Sequence, residues 1–455
     1  MTTRRDFGRR SAAALAAALA PRRGARTSIR PLPSPAQLRW QRDELALFLH
    51  FGVNTFTDRE WGDGTEDPAI FNPARLDARQ WTRAAHAAGA RALILTAKHH
   101  DGFCLWPSRL TSHSVAGSPW RGGRGDVVRE FTDACRHDGL RAGLYLSPWD
   151  RNAPGYGDSA SYNDFYCAQL AELLTQYGPI AEVWFDGANG EGPNGRRQEY
   201  DWSRVFALVR RLQPEAVMFS DAGPDVRWCG NEDGSAGDPD WSTVDPARVP
   251  YPGASGDGVI EALQHGDPAG AVWRPAEVDT SIRPGWFHHP AEDDRVKTVD
   301  QLRDIWFQSV GRNAKLLLNV PPTRDGLLHH VDVARLAALR TSLDRTFARD
   351  LARFARARWT TTGTRMSGDL DLGREVAVGL ARLEEDIARG QAVARYVIQG
   401  RVGSAWQELA RGTTIGHRKL DRFPAIAVRH VRVVIEEAVV PPRPLRIGLY
   451  AGESG

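Results

Sequence analysis

A repeated pairing of a short apolar run with an amphipathic helical pattern limits the fold more than any other feature of this sequence. Strand-like runs fall at Ala46–Phe51, Ala92–Thr96, Arg141–Leu146, Ile180–Phe185, Ala216–Ser220 and Lys315–Val320. Helical patterns fall between and after them, at Leu76–Gly89, Asp126–Asp138, Ser159–Tyr177, Tyr200–Leu212, Val299–Gly311 and Val333–Leu343. The strand runs are continuous rather than alternating, as strands covered on both faces require. Gly89, Gly139, Gly178-Pro179 and Pro214 act as helix stops. Such units repeated over roughly 300 residues favour a closed α/β architecture, a (β/α)8-like TIM barrel. An open doubly wound sheet usually carries a Gly-rich phosphate loop after its first strand, and this chain has none. The span Asp221–Pro290 reads as irregular and loop-rich, and loops that long in a regular barrel are usually functional.

A chain of 455 residues is too long for one ordinary core. The pattern changes near Arg358, where alternating segments such as Val376–Leu380, Ala392–Ile398 and Val431–Ile435 are separated by Gly, Thr and charged residues. They predict a C-terminal β-sandwich with a structural role. The expected division is a catalytic barrel over 28–350 and the sandwich over 351–455. Residues 1–27 hold Thr3-Arg-Arg-Asp-Phe7 and a short apolar run, Ser11–Ala20. That pattern resembles a twin-arginine-type export signal and predicts a periplasmic or extracellular protein. The run is about half the ~20 residues a membrane span needs.

A net charge of +3, with basic residues scattered among nearly as many acids, gives no stripe for nucleic acid. Four cysteines, Cys104, Cys135, Cys167 and Cys229, are widely spaced without a C-x-x-C and read as buried small hydrophobes. The count of fifteen Trp is high, and several stand beside polar residues or glycine, where ring faces could stack on sugars.

The chemistry centres on Glu182-Val-Trp-Phe-Asp186-Gly187. A carboxylate at the C-terminal end of a barrel strand points into the active-site face. Desolvating it is costly unless it has a job. His50, His99 and His100 also stand at predicted strand ends, with Glu232 further downstream. Glycoside cleavage needs two carboxyl groups flanking one carbon, about 5–5.5 Å apart in the retaining route. Asp186 is the first candidate; spacing alone does not choose its partner among Asp221, Asp225, Glu232 and Asp233.

The chain resembles the α-L-fucosidases of glycoside hydrolase family 29. The likeness rests on His50-Phe-Gly52, Glu60-Trp-Gly62, Lys98-His-His-Asp-Gly-Phe103, Trp184-Phe-Asp-Gly187, Ser220-Asp-Ala-Gly-Pro-Asp-Val-Arg-Trp228, Ser281-Ile-Arg-Pro-Gly-Trp-Phe287 and Leu316-Leu-Leu-Asn-Val-Pro-Pro322. The phrases around Glu232 and Trp286 look like the subgroup that includes plant enzymes and acts on α-1,3- and α-1,4-linked fucose. The resemblance implies that Asp186 is the nucleophile of a retaining exo-α-L-fucosidase and Glu232 its general acid/base. It implies that His50, Glu60, Trp61, His99 and His100 hold the fucose hydroxyls and that Trp184 lines the pocket. Trp228 and Trp286 would stack against sugar. The implied partner is a fucosylated oligosaccharide or glycoconjugate, with no metal or other cofactor.

Two rival functions fit parts of the pattern. Three histidines with Asp186 could make a metal-dependent barrel hydrolase. A non-catalytic sugar-binding protein could keep the fold without the chemistry. Adjacent His99 and His100 would point to opposite faces if they lay in a strand.

Overall fold

A computed structural model describes residues 30–452. The predicted export signal over 1–27 lies outside the described residues.

Eight parallel strands form one sheet: β1 Leu45–Leu49, β2 Ala92–Lys98, β3 Arg141–Leu146, β4 Glu182–Trp184, β5 Val217–Phe219, β6 Arg227–Trp228, β7 Ala276–Ser281 and β8 Lys315–Asn319. Their order is β5-β4-β3-β2-β1-β8-β7-β6, and a parallel bridge between Phe219 and Val226 joins the two ends. The sheet therefore closes into the expected barrel. Helix α1, Pro35–Asp43, precedes β1. The outer helices are α2 Ala78–Ala88, α3 Val127–His137, α4 Ser159–Gln176, α5 Trp202–Leu212, α6 Asp257–His265, α7 Val299–Gln308 and α8 His330–Phe347. Asp126 caps α3 by accepting from Arg129 N at 2.8 Å, and Thr298 with Gln301 forms a capping box on α7.

The unit between β5 and β6 departs from the repeat, because residues 220–226 connect those strands without a helix. The span expected to be irregular also contains β6, β7 and α6. β7 escapes the apolar-run rule because its inward residues are Glu277, Asp279 and Ser281, which meet polar partners inside the barrel.

The continuous apolar runs are explained by two cores. Leu45, Leu47 and Leu49 of β1 pack against the helical shell, while Ala46 and Phe48 face the lumen. There they meet Ile94, Tyr145, Trp184, Phe219 and Leu317. Trp184 stacks on Phe219 with ring centroids 4.2 Å apart. Below this aromatic layer lies a charged floor. Lys315 Nζ is 2.8 Å from Glu182 and 3.2 Å from Glu277. Trp40 of α1 donates its indole N–H to Glu182 at 2.9 Å, and Lys315 sits 4.5 Å from the centre of its ring. Burial, and then the charge of Glu182, push the Glu277 carboxyl well above its ordinary range.

The C-terminal part is an antiparallel sandwich built from one hydrogen-bonded set of six strands. Two of them, Arg365–Glu384 and Lys419–Ala438, are 20 residues long and carry register shifts at Asp371/Val376 and Val378/Leu380. Val378, Tyr396, Ile398, Val431 and Val433 are among the residues of its core. It attaches beside the N-terminal end of β1. His417 and Arg418 bind Glu44 at 2.9 and 2.7 Å, and Leu420 N donates to Gly311 O. The opposite ends of the barrel strands carry the site described next.

Lys315→Met should remove the only positive charge of the floor trio and leave two buried acids facing each other. The expected loss is about 3–5 kcal/mol of unfolding free energy, read by urea titration. A variant as stable as the parent would show that the floor does not depend on an ion pair.

Candidate active site

Asp186 follows β4 at the C-terminal end of the barrel and is half-buried. Its Oδ1 accepts from Ala188 N at 2.7 Å, which is the tight turn set by Gly187. Its Oδ2 accepts from the Tyr145 hydroxyl at 3.2 Å. Burial, and then the charge of Asp186, push the Tyr145 phenol well above its ordinary range, so it stays a donor. His100 Nε2 lies 3.8 Å from the same Oδ2.

The histidines form a row along one wall. The chain leaves β2 at Lys98, so His99 and His100 lie on the same side, with ring centroids 4.1 Å apart. This removes the opposite-face expectation. His50 continues the row, 5.6 Å from His99. Asn319 Nδ2 donates to Ser281 Oγ and to Trp286 O, at 2.9 and 2.8 Å. Its Oδ1 is therefore an acceptor, and His50 Nδ1 carries the proton given to it at 2.9 Å. Burial drives the His50 imidazole down to about 3 against a small opposing effect of Asn319. His50 is thus neutral, with Nε2 left as an acceptor. Ser147 gives its O–H to Trp149 O and so accepts from His100 Nδ1 at 2.7 Å, fixing a second ring in the same way. His99, driven well below its ordinary value by burial and then by its two neighbours, has a buried Nδ1 without a partner. Leaving such an atom unpaired costs about 1–3 kcal/mol.

Glu232 lies after β6 on the open rim. Trp286 Nε1 donates to its Oε2 at 3.3 Å. Partial desolvation raises the Glu232 carboxyl above its ordinary value; the Trp286 donor opposes this, and the charges of Asp186, Glu60 and Asp233 add to it. The side chain is still in contact with solvent. Glu60 is fully engaged: it accepts from Trp286 N, from Phe287 N at 3.3 Å and from His289 Nε2 at 2.9 Å. It fixes the loop that carries Trp286, whose ring lies 5.0 Å from His50.

The other predicted residues occupy three depths. Trp61 is 59% exposed and meets His100 and Trp149 edge-on, each with centroids 6.2 Å apart. Trp228 is half-buried and gives its indole N–H to Asp279 at 2.8 Å. Trp184 lies deeper, buried against Phe219, Phe48 and Tyr145 beneath the opening. Sequence reasoning missed Tyr145, Ser147, Trp149, His289 and Asn319. A polar residue at or next to a strand's C-terminal end was a usable signal for Tyr145, Ser147 and Asn319. Among the described residues, no group of three or more His, Cys, Asp or Glu is arranged to hold a metal ion. All four cysteines are buried and free.

A closed barrel with carboxyl groups and a row of imidazoles around its C-terminal opening has the parts that glycoside hydrolysis uses. The sequence model of the α-L-fucosidase family matches residues 53–345. α-L-Fucosidase 1 of Arabidopsis thaliana is 42% identical over 452 residues, covering 93% of this chain and 88% of its own. A glycoside hydrolase 29 family member from an unknown rumen bacterium is 40% identical with a TM-score of 0.87, covering 94% of this chain and 78% of that one. A Ruminococcus gnavus GH29 fucosidase in complex with fucose has a TM-score of 0.84 at 31% identity, covering 93% and 95%. The chain belongs to the α-L-fucosidase family of glycoside hydrolases.

Asn319→Asp keeps the acceptor for His50 and adds a negative charge beside it. A neighbouring carboxylate favours the imidazolium, so the His50 pKa should rise from about 3. An NMR titration of the ring protons checks this, and an unmoved resonance would break the assigned His50–Asn319 bond.

Proposed function

We propose that the protein is a retaining exo-α-L-fucosidase that removes terminal α-1,3- and α-1,4-linked fucose from glycans. The carrying observation is the pairing of Asp186, seated on the end of a barrel strand, with Glu232, whose carboxyl is lifted by desolvation and by the charge of Asp186. One acid that keeps its proton beside one that attacks is the division of labour the retaining route needs. Asp186 Oδ attacks the anomeric carbon as the glycosidic bond breaks, and Glu232 gives its proton to the leaving oxygen. Water then attacks the same carbon, Glu232 takes a proton from it, and the Asp186–sugar bond breaks. Two inversions give net retention.

The histidines supply binding at the fucose. His50 Nε2 accepts from a sugar hydroxyl, and His99 stands beside it in the same wall. Tyr145 holds Asp186 in place, and His100 stands beside it. Trp286 contributes both a ring face and the donor to Glu232. Trp61 and Trp149 form an aromatic edge at the opening. The linkage preference rests on the likeness of the segments around Glu232 and Trp286 to the plant-containing subgroup. Arg4-Arg5 and the run Ser11–Ala20 support export by the twin-arginine route.

Asp186→Ala should lower kcat by more than about 10⁴-fold on every fucoside. Glu232→Ala should spare aryl fucosides with good leaving groups, lose natural oligosaccharides and regain turnover with azide. Proton NMR of the first-formed sugar should show the α anomer; a β product would remove the nucleophile role of Asp186. A panel of α-1,2-, α-1,3-, α-1,4- and α-1,6-linked oligosaccharides should release fucose chiefly from the second and third.

Trp286→Phe removes a donor that favours the charged form of Glu232, so the Glu232 pKa should rise further. The first step needs that group protonated. The alkaline limb of kcat/KM should therefore move to higher pH, and movement to lower pH would contradict the acid role.

A further inference from the structure

A third acid stands beside the proposed nucleophile. Trp184 of β4 pairs in register with Phe219 of β5. Asp186 and Asp221 each lie two residues beyond that pair, on the lumen-facing side of adjacent strands. Asp221 Oδ2 accepts from Gly253 N at 2.8 Å. Gly253 has φ +83°, a conformation that favours glycine, and it packs against the backbone of Gly187. A Cβ placed on Gly187 would come within 2.3 Å of Asp221 Oδ2 and 2.9 Å of Gly253 N. The turn presenting Asp186, the Asp221 carboxylate and the 250–256 loop thus meet at one point, with no room for a side chain on Gly187. Burial pushes the Asp221 carboxyl up to about 6, against the pull of Gly253 N, and the charge of Asp186 adds to the rise.

We infer that Asp221 is a positioning residue that locks the 250–256 loop onto the turn presenting Asp186, so that nucleophile and loop form one rigid unit. The inference rests on the role proposed for Asp186. The loop it holds also carries Tyr251, a ring 58% exposed on the same face of the barrel as the site. Without the bond from Asp221, Gly253 N loses its acceptor, the contact behind Gly187 loosens, and Asp186 is no longer aimed. A misplacement of about 1 Å at a reacting group can cost about 100-fold in rate.

The test uses the full chain with Asp221→Ala and Asp221→Asn. An asparagine oxygen still accepts from Gly253 N, whereas alanine cannot. Hydrogen exchange of the peptide spanning 250–256 should accelerate by about tenfold or more in Asp221→Ala and stay near wild type in Asp221→Asn. With an aryl α-L-fucoside, Asp221→Ala should lose about 10- to 100-fold in kcat with KM changed by less than about threefold. Asp221→Asn should keep most of kcat. If the alanine variant does not fold, Asp221→Ser, whose hydroxyl is too short to reach Gly253, repeats the comparison. Unchanged exchange and unchanged kcat in Asp221→Ala overturn the inference. So does an asparagine variant as impaired as the alanine one, since the bond to Gly253 would then not be what matters. A wild-type protein that releases no fucose from any substrate sinks the proposed function instead, and the exchange arm still decides whether Asp221 holds the loop.

Discussion

The site depends on one side-chain amide, that of Asn319 at the end of β8. Its oxygen receives the His50 backbone N–H and the His50 ring N–H, and its nitrogen gives to Ser281 and to the Trp286 carbonyl. All of its hydrogen-bonding capacity is spent on joining β1, β7 and the loop after β7. Because the amide has only one chemically sensible orientation there, the His50 tautomer follows, and with it the acceptor presented to the opening. Trp286, held through its carbonyl, is also held through its backbone N–H by Glu60, and its indole then reaches Glu232. The rim acid is reached by a chain of hydrogen bonds that starts at the buried amide of Asn319.

The barrel lumen carries charge at both ends and aromatic rings between them. At the floor, Lys315 pairs with Glu182 and Glu277, and Trp40 donates to Glu182, away from solvent. At the opening stand Asp186, Asp221 and Glu232. Phe48, Tyr145, Trp184 and Phe219 separate the two groups. Asp279 lies in the intermediate layer. Burial, and then the charge of Glu232, raise it well above its ordinary range, while it accepts from the Trp228 indole.

The barrel was legible because most of its strands are buried on both faces and so read as unbroken apolar runs. β7 was not, because a strand whose lumen side is Glu277, Asp279 and Ser281 looks like a polar loop until its partners across the barrel are known. β6 was too short to register, with two residues in regular pairing. Asp186 and the histidines were readable because a strand's end fixes where they point. The partner acid was named only through family likeness. Glu232 sits on a loop, and what brings it to the opening is an indole 54 residues later in the chain. Tyr145 and Asn319 lay within segments already read as strands; their importance comes from inward register and from cross-strand partners that no single-strand pattern displays.

That difference in support also separates how the two carboxyl groups respond to substrate. Asp186 is held by a backbone N–H and a phenol, both fixed by the barrel. Glu232 has one long bond to an indole and is otherwise open to water. A sugar seated at the opening removes part of that water, and lost solvation raises a carboxyl's pKa. The charge of Asp186 nearby acts in the same direction, with less screening once solvent is excluded. In the proposed retaining reaction, the proton needed for the first step would be held more firmly by the complex than by the free enzyme, and formation of the Asp186–sugar bond would cancel the charge that helped hold it. Glu232 would then have less reason to hold a proton at the point where the proposed second step needs it as the base toward water. In that proposal, placing the acid on a solvent-facing loop, rather than on a rigid strand end, is what would let its affinity for the proton follow the reaction.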